Sequence, residues 1–256
     1  MTSRHIVITG ASGGIGAALA MRLTADGHRV ALAARREAEL KAVAKRAGSN
    51  AIAVPTDVTR RSDVDRLRDR AIDAFGDIDV WINNAGRGMT RHVIDLTDDD
   101  LDEMMAVNVK SALYGMQAAV PHFIARGGGH VINVSSMLSR VPSATYRSGY
   151  NAAKAALNAL TANLRVDLAR EHPAVHVSLV MPGIVTTDFQ EHAKGGSPPL
   201  PAAALRDAQT PEEVADKIAE LIEHPVAEIY TNPQHHARAL QYFHDIGAFE
   251  RESVAG

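Results

Sequence analysis

Cysteine is absent from this chain, which excludes disulfides and thiolate metal sites. Net charge is nearly absent too. The formal balance is −3 over 256 residues, so there is no electrostatic case for a nucleic acid or an anionic membrane as partner. No window of ~18 apolar residues exists, and no segment is read as spanning a bilayer. The N-terminal run MTSRHIVITG enters a strand-like segment directly and lacks the long apolar core of a signal peptide. A soluble cytoplasmic protein is the expectation. No internal repeat, low-complexity tract or linker divides the chain, so residues 1–256 are expected to form one domain. A hydrophobic content of 46% is ample for its core.

What is there alternates. Short apolar runs at 5–9, 29–33, 51–54, 78–82, 130–134, 175–180 and 228–230 read as strands. Segments at 14–26, 36–47, 60–75, 98–125, 149–170 and 211–222 read as helices, the fourth of them possible as two, broken near Asn108. This alternation implies βαβ units. The expected fold class is α/β: a single Rossmann-like, doubly wound domain of about seven parallel strands with helices on both faces. One stretch, 189–209, is rich in Gly, Pro and Ala and follows the sixth strand. Ligands in open α/β sheets bind beyond the carboxyl ends of strands, so a substrate lid is expected over 186–209.

Between the first strand and the first helix lies Thr9-Gly10-Ala11-Ser12-Gly13-Gly14-Ile15-Gly16. Glycines at that place allow a tight turn and let the backbone approach a pyrophosphate at the helix N-terminus. Their spacing is G-x-x-x-G-x-G rather than G-x-G-x-x-G. An NAD enzyme has an acid at the end of the second strand for the ribose 2′-hydroxyl. Here that end reads Ala33-Ala34-Arg35-Arg36. Two guanidinium groups suit a 2′-phosphate instead, so NADP(H) is favoured over NAD(H). The alternative is that Arg35 and Arg36 merely begin a solvated helix.

Tyr150 and Lys154 stand one helical turn apart and share a face. At ~5 Å and an effective dielectric of ~20, the ammonium would favour the phenolate by roughly 3 kcal/mol, about two pKa units. That would move the phenol toward the working range of a general acid or base.

With these residues in view, the chain resembles the short-chain dehydrogenase/reductase family over nearly its whole length. The resemblance is carried by Thr9 to Gly16, Asn83-Asn84-Ala85-Gly86, Asn108, Ser136, Tyr150 with Lys154, and Met181-Pro182-Gly183. It implies a nicotinamide cofactor and hydride transfer between a ketone or aldehyde and its alcohol. By resemblance, Tyr150 is the general acid/base, Lys154 lowers its pKa and binds the nicotinamide ribose, and Ser136 holds the substrate oxygen. Asn108 would bend its helix and hold a water in a proton path from Lys154. Gly10, Ser12, Gly14, Ile15 and Gly16 would cradle the pyrophosphate, and Asp57 and Val58 would meet the adenine. Asn84, Ala85 and Gly86 would line the cofactor, with Pro182, Gly183, Ile184 and Thr186 at its carboxamide end. A homo-oligomer, dimer or tetramer, is also implied, with 98–125 and 149–170 at the interface. The alanines Ala152, Ala153, Ala155, Ala156 and Ala159 suit close helix packing, although some must face the sheet. Ser136 lies 14 residues before Tyr150, one more than in many members, which bears on the shape of the substrate pocket. Ser135 and Ser139 are rivals for the Ser136 role.

Other residues are less pointed. His235, His236 and His244 are read as a solvated helix, and no metal site is expected. Thr97 before Asp98-Asp99-Asp100 reads as a helix cap, and Trp81 as core. Met89, Met137, Leu138, Tyr146 and Phe189 are candidates for an apolar pocket around a small-molecule carbonyl or alcohol substrate. Arg87, Arg140 and Arg147 could select an anionic substrate or be ordinary surface arginines. A second class of function, a non-catalytic NADPH-binding sensor or scaffold, needs the cofactor site without the catalytic groups.

Overall fold

A computed structural model describes residues 2–196 and 205–255. Seven strands form one parallel sheet in the order β3-β2-β1-β4-β5-β6-β7. They are β1 His5–Thr9, β2 Arg29–Ala34, β3 Ala51–Pro55, β4 Val80–Asn83, β5 Gly129–Val134, β6 Val175–Met181 and β7 Glu228–Tyr230. The helices between them are α1 Gly14–Ala25, α2 Glu37–Ala47, α3 Arg61–Phe75, α4 Asp98–Met105, α5 Ser111–Arg126, α6 Ser148–Ala169 and α7 Pro211–Glu223. After β7 come α8 Pro233–His244 and α9 Ile246–Ala255. None of the described helices is long and apolar enough to cross a membrane.

Parallel strands covered on both sides need apolar side chains on both sides. β1 shows it: Ile6 and Ile8 pack under α1, α2 and α7, while Val7 between them packs under α3, α5 and α6. Trp81 is fully buried in that second layer. The expected break near Asn108 is a π-helical turn, Ala106–Lys110, joining α4 to α5; such one-turn bulges re-aim a side chain without ending the helix. Thr97 caps α4 in a reciprocal box with Asp100.

The sheet order reverses between β1 and β4. A crevice opens where such a reversal leaves neighbouring crossovers on opposite faces, and both the glycine turn after β1 and Asn84-Ala85-Gly86 after β4 stand there.

One buried group sets a pH limit on this core. His130 on β5 is 2% exposed. Its Nε2 pairs with the Ser178 hydroxyl at 2.8 Å, and its Nδ1 has no partner. Burial, then the neighbouring His176, pushes its pKa down to about 3. The unfolded chain binds a proton at this residue below its ordinary value and the folded chain does not, so stability falls as pH drops from about 6.5 toward 3, by up to about 1.4 kcal/mol per pH unit. Urea midpoints measured across that range should show a shallower acid decline for His130→Leu. An unchanged slope would mean that His130 does not set it.

Candidate active site

The glycine turn is held from beneath. The Thr9 hydroxyl accepts from the backbone N–H of Asn84 (3.0 Å) and of Ala85 (3.1 Å). The Asn84 amide donates back to the carbonyls of Thr9 (2.9 Å) and Gly10 (3.3 Å). Gly10 has φ +69°, and a Cβ there would lie 2.8 Å from the Ala85 Cα; only glycine fits both demands. α1 starts at this turn with no side-chain cap and no acid in its first turn. α4 and α7, by contrast, both carry capping boxes. An uncapped N-terminus in a crevice floored by glycine is suited to a phosphate. The residues therefore fit a dinucleotide.

A cleft of about 1350 Å³ runs from this turn across the carboxyl ends of the strands. Gly10, Ser12, Gly14, Ile15, Arg35, Arg36, Asp57, Val58, Asn84, Ala85 and Gly86 line it, as do Pro182, Gly183 and Ile184. Ser136, Tyr150 and Lys154 line the same cleft. Three of the catalytic and cofactor candidates do not. Gly16 sits behind the turn, where a Cβ would stand 2.5 Å from the Gly10 carbonyl. The Thr186 hydroxyl turns to the Gln209 carbonyl (3.3 Å), and its neighbour Thr187 lines the cleft instead. Asn108 is buried beside the Arg87 backbone, accepting from its N–H (3.2 Å) and donating to its C=O (3.0 Å). It still approaches the cleft through Gly86, where an added Cβ would lie 2.9 Å from the Asn108 Oδ1 and 3.4 Å from the Lys154 Nζ.

Arg36 reaches the turn, its Nε 3.2 Å from the Ser12 hydroxyl and its Nη1 3.2 Å from the His192 ring. Arg35 is exposed beside it. The Asp57 carboxylate accepts from the Thr59 hydroxyl (2.7 Å) and backbone (3.0 Å).

Helix α6 presents Tyr150, Lys154, Leu157, Asn158 and Thr161 on its buried face. The Lys154 ammonium donates to the Val134 carbonyl at 2.8 Å and lies 5.9 Å from the Tyr150 ring centre. The phenol is not drawn down as the simple pairing expects. Burial, the largest influence, raises Tyr150 to about 12 against the pull of the Ser136 hydroxyl and Arg147. Burial also lowers Lys154 to about 8. Both side chains are buried, and desolvation penalises both charged forms. The arithmetic from spacing alone counted the attraction and omitted that penalty. Of the three serines, Ser135 donates to Asn158 (2.6 Å) and Ser139 to the Ser136 carbonyl. The Ser136 hydroxyl accepts from the Leu138 N–H (3.2 Å) and stands next to Tyr150.

Met137, Leu138, Tyr146 and Phe189 line the cleft, Phe189 edge-on to Tyr150 at 5.7 Å. Met89 does not; it is fully buried behind Tyr150. Arg87 is paired with Glu103, and Arg140 with Glu228 at 2.6 Å. Arg147 is buried against the Met89 carbonyl (3.2 Å) and Gln190. In the expected lid, 197–204 lie outside the described residues. The part before them is fastened to α4: Lys194 reaches Asp100 (2.9 Å) and Glu103 (2.8 Å). That contact, before all others, holds Asp100 down to about 2.

The helix expected around His235, His236 and His244 is α8, but it is not simply solvated. Its Gln234, His235, Arg238 and Gln241 line the cleft, so His235 is not on a solvated face. Its ring covers Gly183, where a Cβ would meet it at 2.0 Å. His236 does lie outside, stacked on Tyr230 at 5.2 Å. The polar face of an amphipathic helix has the same pattern whether it faces water or a cleft, and the sequence held no signal to separate them.

Comparison with known proteins follows the same lines. A family model described as short chain dehydrogenase matches residues 4–196. The chain is 38% identical over 239 residues to the uncharacterized oxidoreductase YxnA of Bacillus subtilis, covering 92% of this chain and 67% of that protein. It is 37% identical over 185 residues to the uncharacterized oxidoreductase SERP2049 of Staphylococcus epidermidis, 72% of this chain and 79% of that one. A short-chain dehydrogenase/reductase from Burkholderia phymatum, solved in complex with NAD, superposes with a TM-score of 0.86 at 26% identity over 96% of this chain and 95% of its own. An alcohol dehydrogenase from the archaeon Thermococcus sibiricus, complexed with 5-hydroxy-NADP, gives 0.77 at 29% identity over 90% and 96%.

Proposed function

The chain belongs to the short-chain dehydrogenase family, and on that premise we propose an NADP(H)-dependent oxidoreductase interconverting a ketone or aldehyde and its alcohol. One observation carries the reading: Ser136, Tyr150 and Lys154 open into the same cleft as the glycine turn. When bound, the cofactor supplies the hydride that adds to the carbonyl carbon. The protein does the rest. Ser136 and Tyr150 direct hydroxyl donors at the oxygen that becomes negative. Tyr150 gives its phenolic proton to that oxygen, and in oxidation takes it back. Lys154 keeps positive charge beneath the phenol and offers its ammonium to the ribose hydroxyls. Asn108, one gap away across Gly86, holds a water that returns a proton toward Lys154. Residues 187–193, the described part of the expected lid that lines the cleft, border the substrate.

Arg35 and Arg36 grip the 2′-phosphate. Charge-assisted hydrogen bonds to one such group contribute roughly 1.5–3 kcal/mol, about 10- to 100-fold in affinity. Titrations with both cofactors test it: Arg35→Ala with Arg36→Ala should weaken NADPH by that factor and leave NADH unchanged. A wild-type preference for NADH would sink the assignment.

We also infer a homo-oligomer through α4, α5 and α6. Ala152, Ala155 and Ala159 make an exposed small-residue stripe on α6 that continues to Val166, 73% exposed. Ala153 is buried against the body of the domain.

A further inference from the structure

We propose that the substrate carries an oxyanion, a carboxylate or a phosphate, remote from its carbonyl, and that α8 recognises it through Arg238 with His235, Gln234 and Gln241. The proposal rests on the carbonyl-reducing reading above and names the substrate class of that site.

The geometry is that of a helix packed along one edge and open to the cleft along the next. Ala239 and Tyr242 are buried against Met137 and Val141, in the loop that follows Ser136. Beside that buried stripe, Gln234, His235, Ala237, Arg238 and Gln241 line the cleft that holds Tyr150. Apart from Ala237 those side chains are polar, whereas Met137, Leu138, Tyr146 and Phe189 line the cleft as well. A purely apolar substrate would bury those polar groups without partners, at a cost. A substrate with an apolar middle and a polar end matches both walls.

The sign of that end follows from the charges. Arg87 and Arg147, the other arginines toward this end of the cleft, are engaged by Glu103 and by Met89 with Gln190. Arg238 stacks over Phe249 at 5.3 Å, and among the described residues no carboxylate stands within ion-pair distance of it. A guanidinium braced on a ring keeps its hydrogen-bonding edge available for an oxyanion. The His235 Nδ1 is buried and has no hydrogen-bond partner. Asp207 lines the same wall and acts on His235 at a distance, but it forms no ion pair with Arg238. One buried ring nitrogen without a partner, beside a guanidinium that has no carboxylate partner among the described residues, suits an anion.

The test compares straight-chain oxo acids of increasing length with their methyl esters, and ketone phosphates with the corresponding free alcohols, using NADPH and following the nicotinamide absorbance. The acids or the phosphates should be turned over with the higher kcat/KM, and whichever arm wins identifies the anion. Arg238→Gln should raise KM for the winning anion roughly 10- to 100-fold, the loss of one charge-assisted contact, and leave the neutral partner unaffected. Equal use of anion and neutral partner, or an equal loss of both in Arg238→Gln, overturns the proposal. If no carbonyl is reduced although NADPH binds, it is the reaction that fails. Calorimetric titration of the same oxo acids and ketone phosphates into the NADPH-loaded protein then decides the anion site: weaker binding in Arg238→Gln supports it, and unchanged or absent binding overturns it.

Discussion

Replacing Tyr150 by phenylalanine should reduce the rate of carbonyl reduction by roughly 10²- to 10⁴-fold, the usual contribution of a positioned general acid. Affinity for NADPH should hold, because the ring still packs against Met89 and Phe189. The pH dependence follows from the pair. With Tyr150 raised to about 12 by burial, the phenol keeps its proton through the neutral range and is ready to donate. Lys154, lowered to about 8, is charged below that pH and loses its charge as pH rises through it. Reduction should therefore be fastest on the acid side of 8 and decline above it. Oxidation needs the phenolate. The positive ring of an oxidised cofactor would favour it, countering the burial that raises the phenol. Steady-state rates across pH, for wild type and Tyr150→Phe, check both statements. A variant retaining wild-type kcat would remove Tyr150 from the chemistry.

Gly16→Ala should damage cofactor binding without touching a catalytic group. The added methyl would stand 2.5 Å from the Gly10 carbonyl and 2.8 Å from the Asn84 amide. The first of these is backbone and moves only if the turn opens. Opening costs roughly 1–3 kcal/mol as overpacking, in protein stability and in the affinity of the phosphate site together. Thermal unfolding should shift down by several degrees, since about 1 kcal/mol moves Tm by 2–4 °C in a domain of this size. NADPH affinity should fall about tenfold or more. A stable variant with unchanged NADPH binding would show that the turn does not hold the pyrophosphate.

Much of this was legible in the chain. The parallel strands announce themselves because burial on both faces leaves them almost continuously apolar, as in HIVIT and HVINV. The glycine turn is legible because few other residues could make it. The long-range consequences were not. Lys154 donates to Val134, twenty residues earlier, and the burial that raises Tyr150 is a property of the assembled sheet. Spacing gave the sign of their attraction and not the desolvation against it. Arg140, which the chain places near Ser136, is held by Glu228 on β7. Arg238 comes from far along the chain to reach the cleft. Such partners depend on which strand ends meet, and no local pattern encodes that.

Hydride transfer itself offers the most direct test. NADPH deuterated on its transferable position, incubated with the protein and a panel of carbonyl compounds, should place deuterium on the carbinol carbon of at least one product. Tyr150→Phe, with cofactor affinity intact, should suppress that transfer. Tight NADPH binding with no deuterium leaving the cofactor for any carbonyl, in wild type as in the variant, would contradict the account and make this chain a cofactor-binding sensor or scaffold.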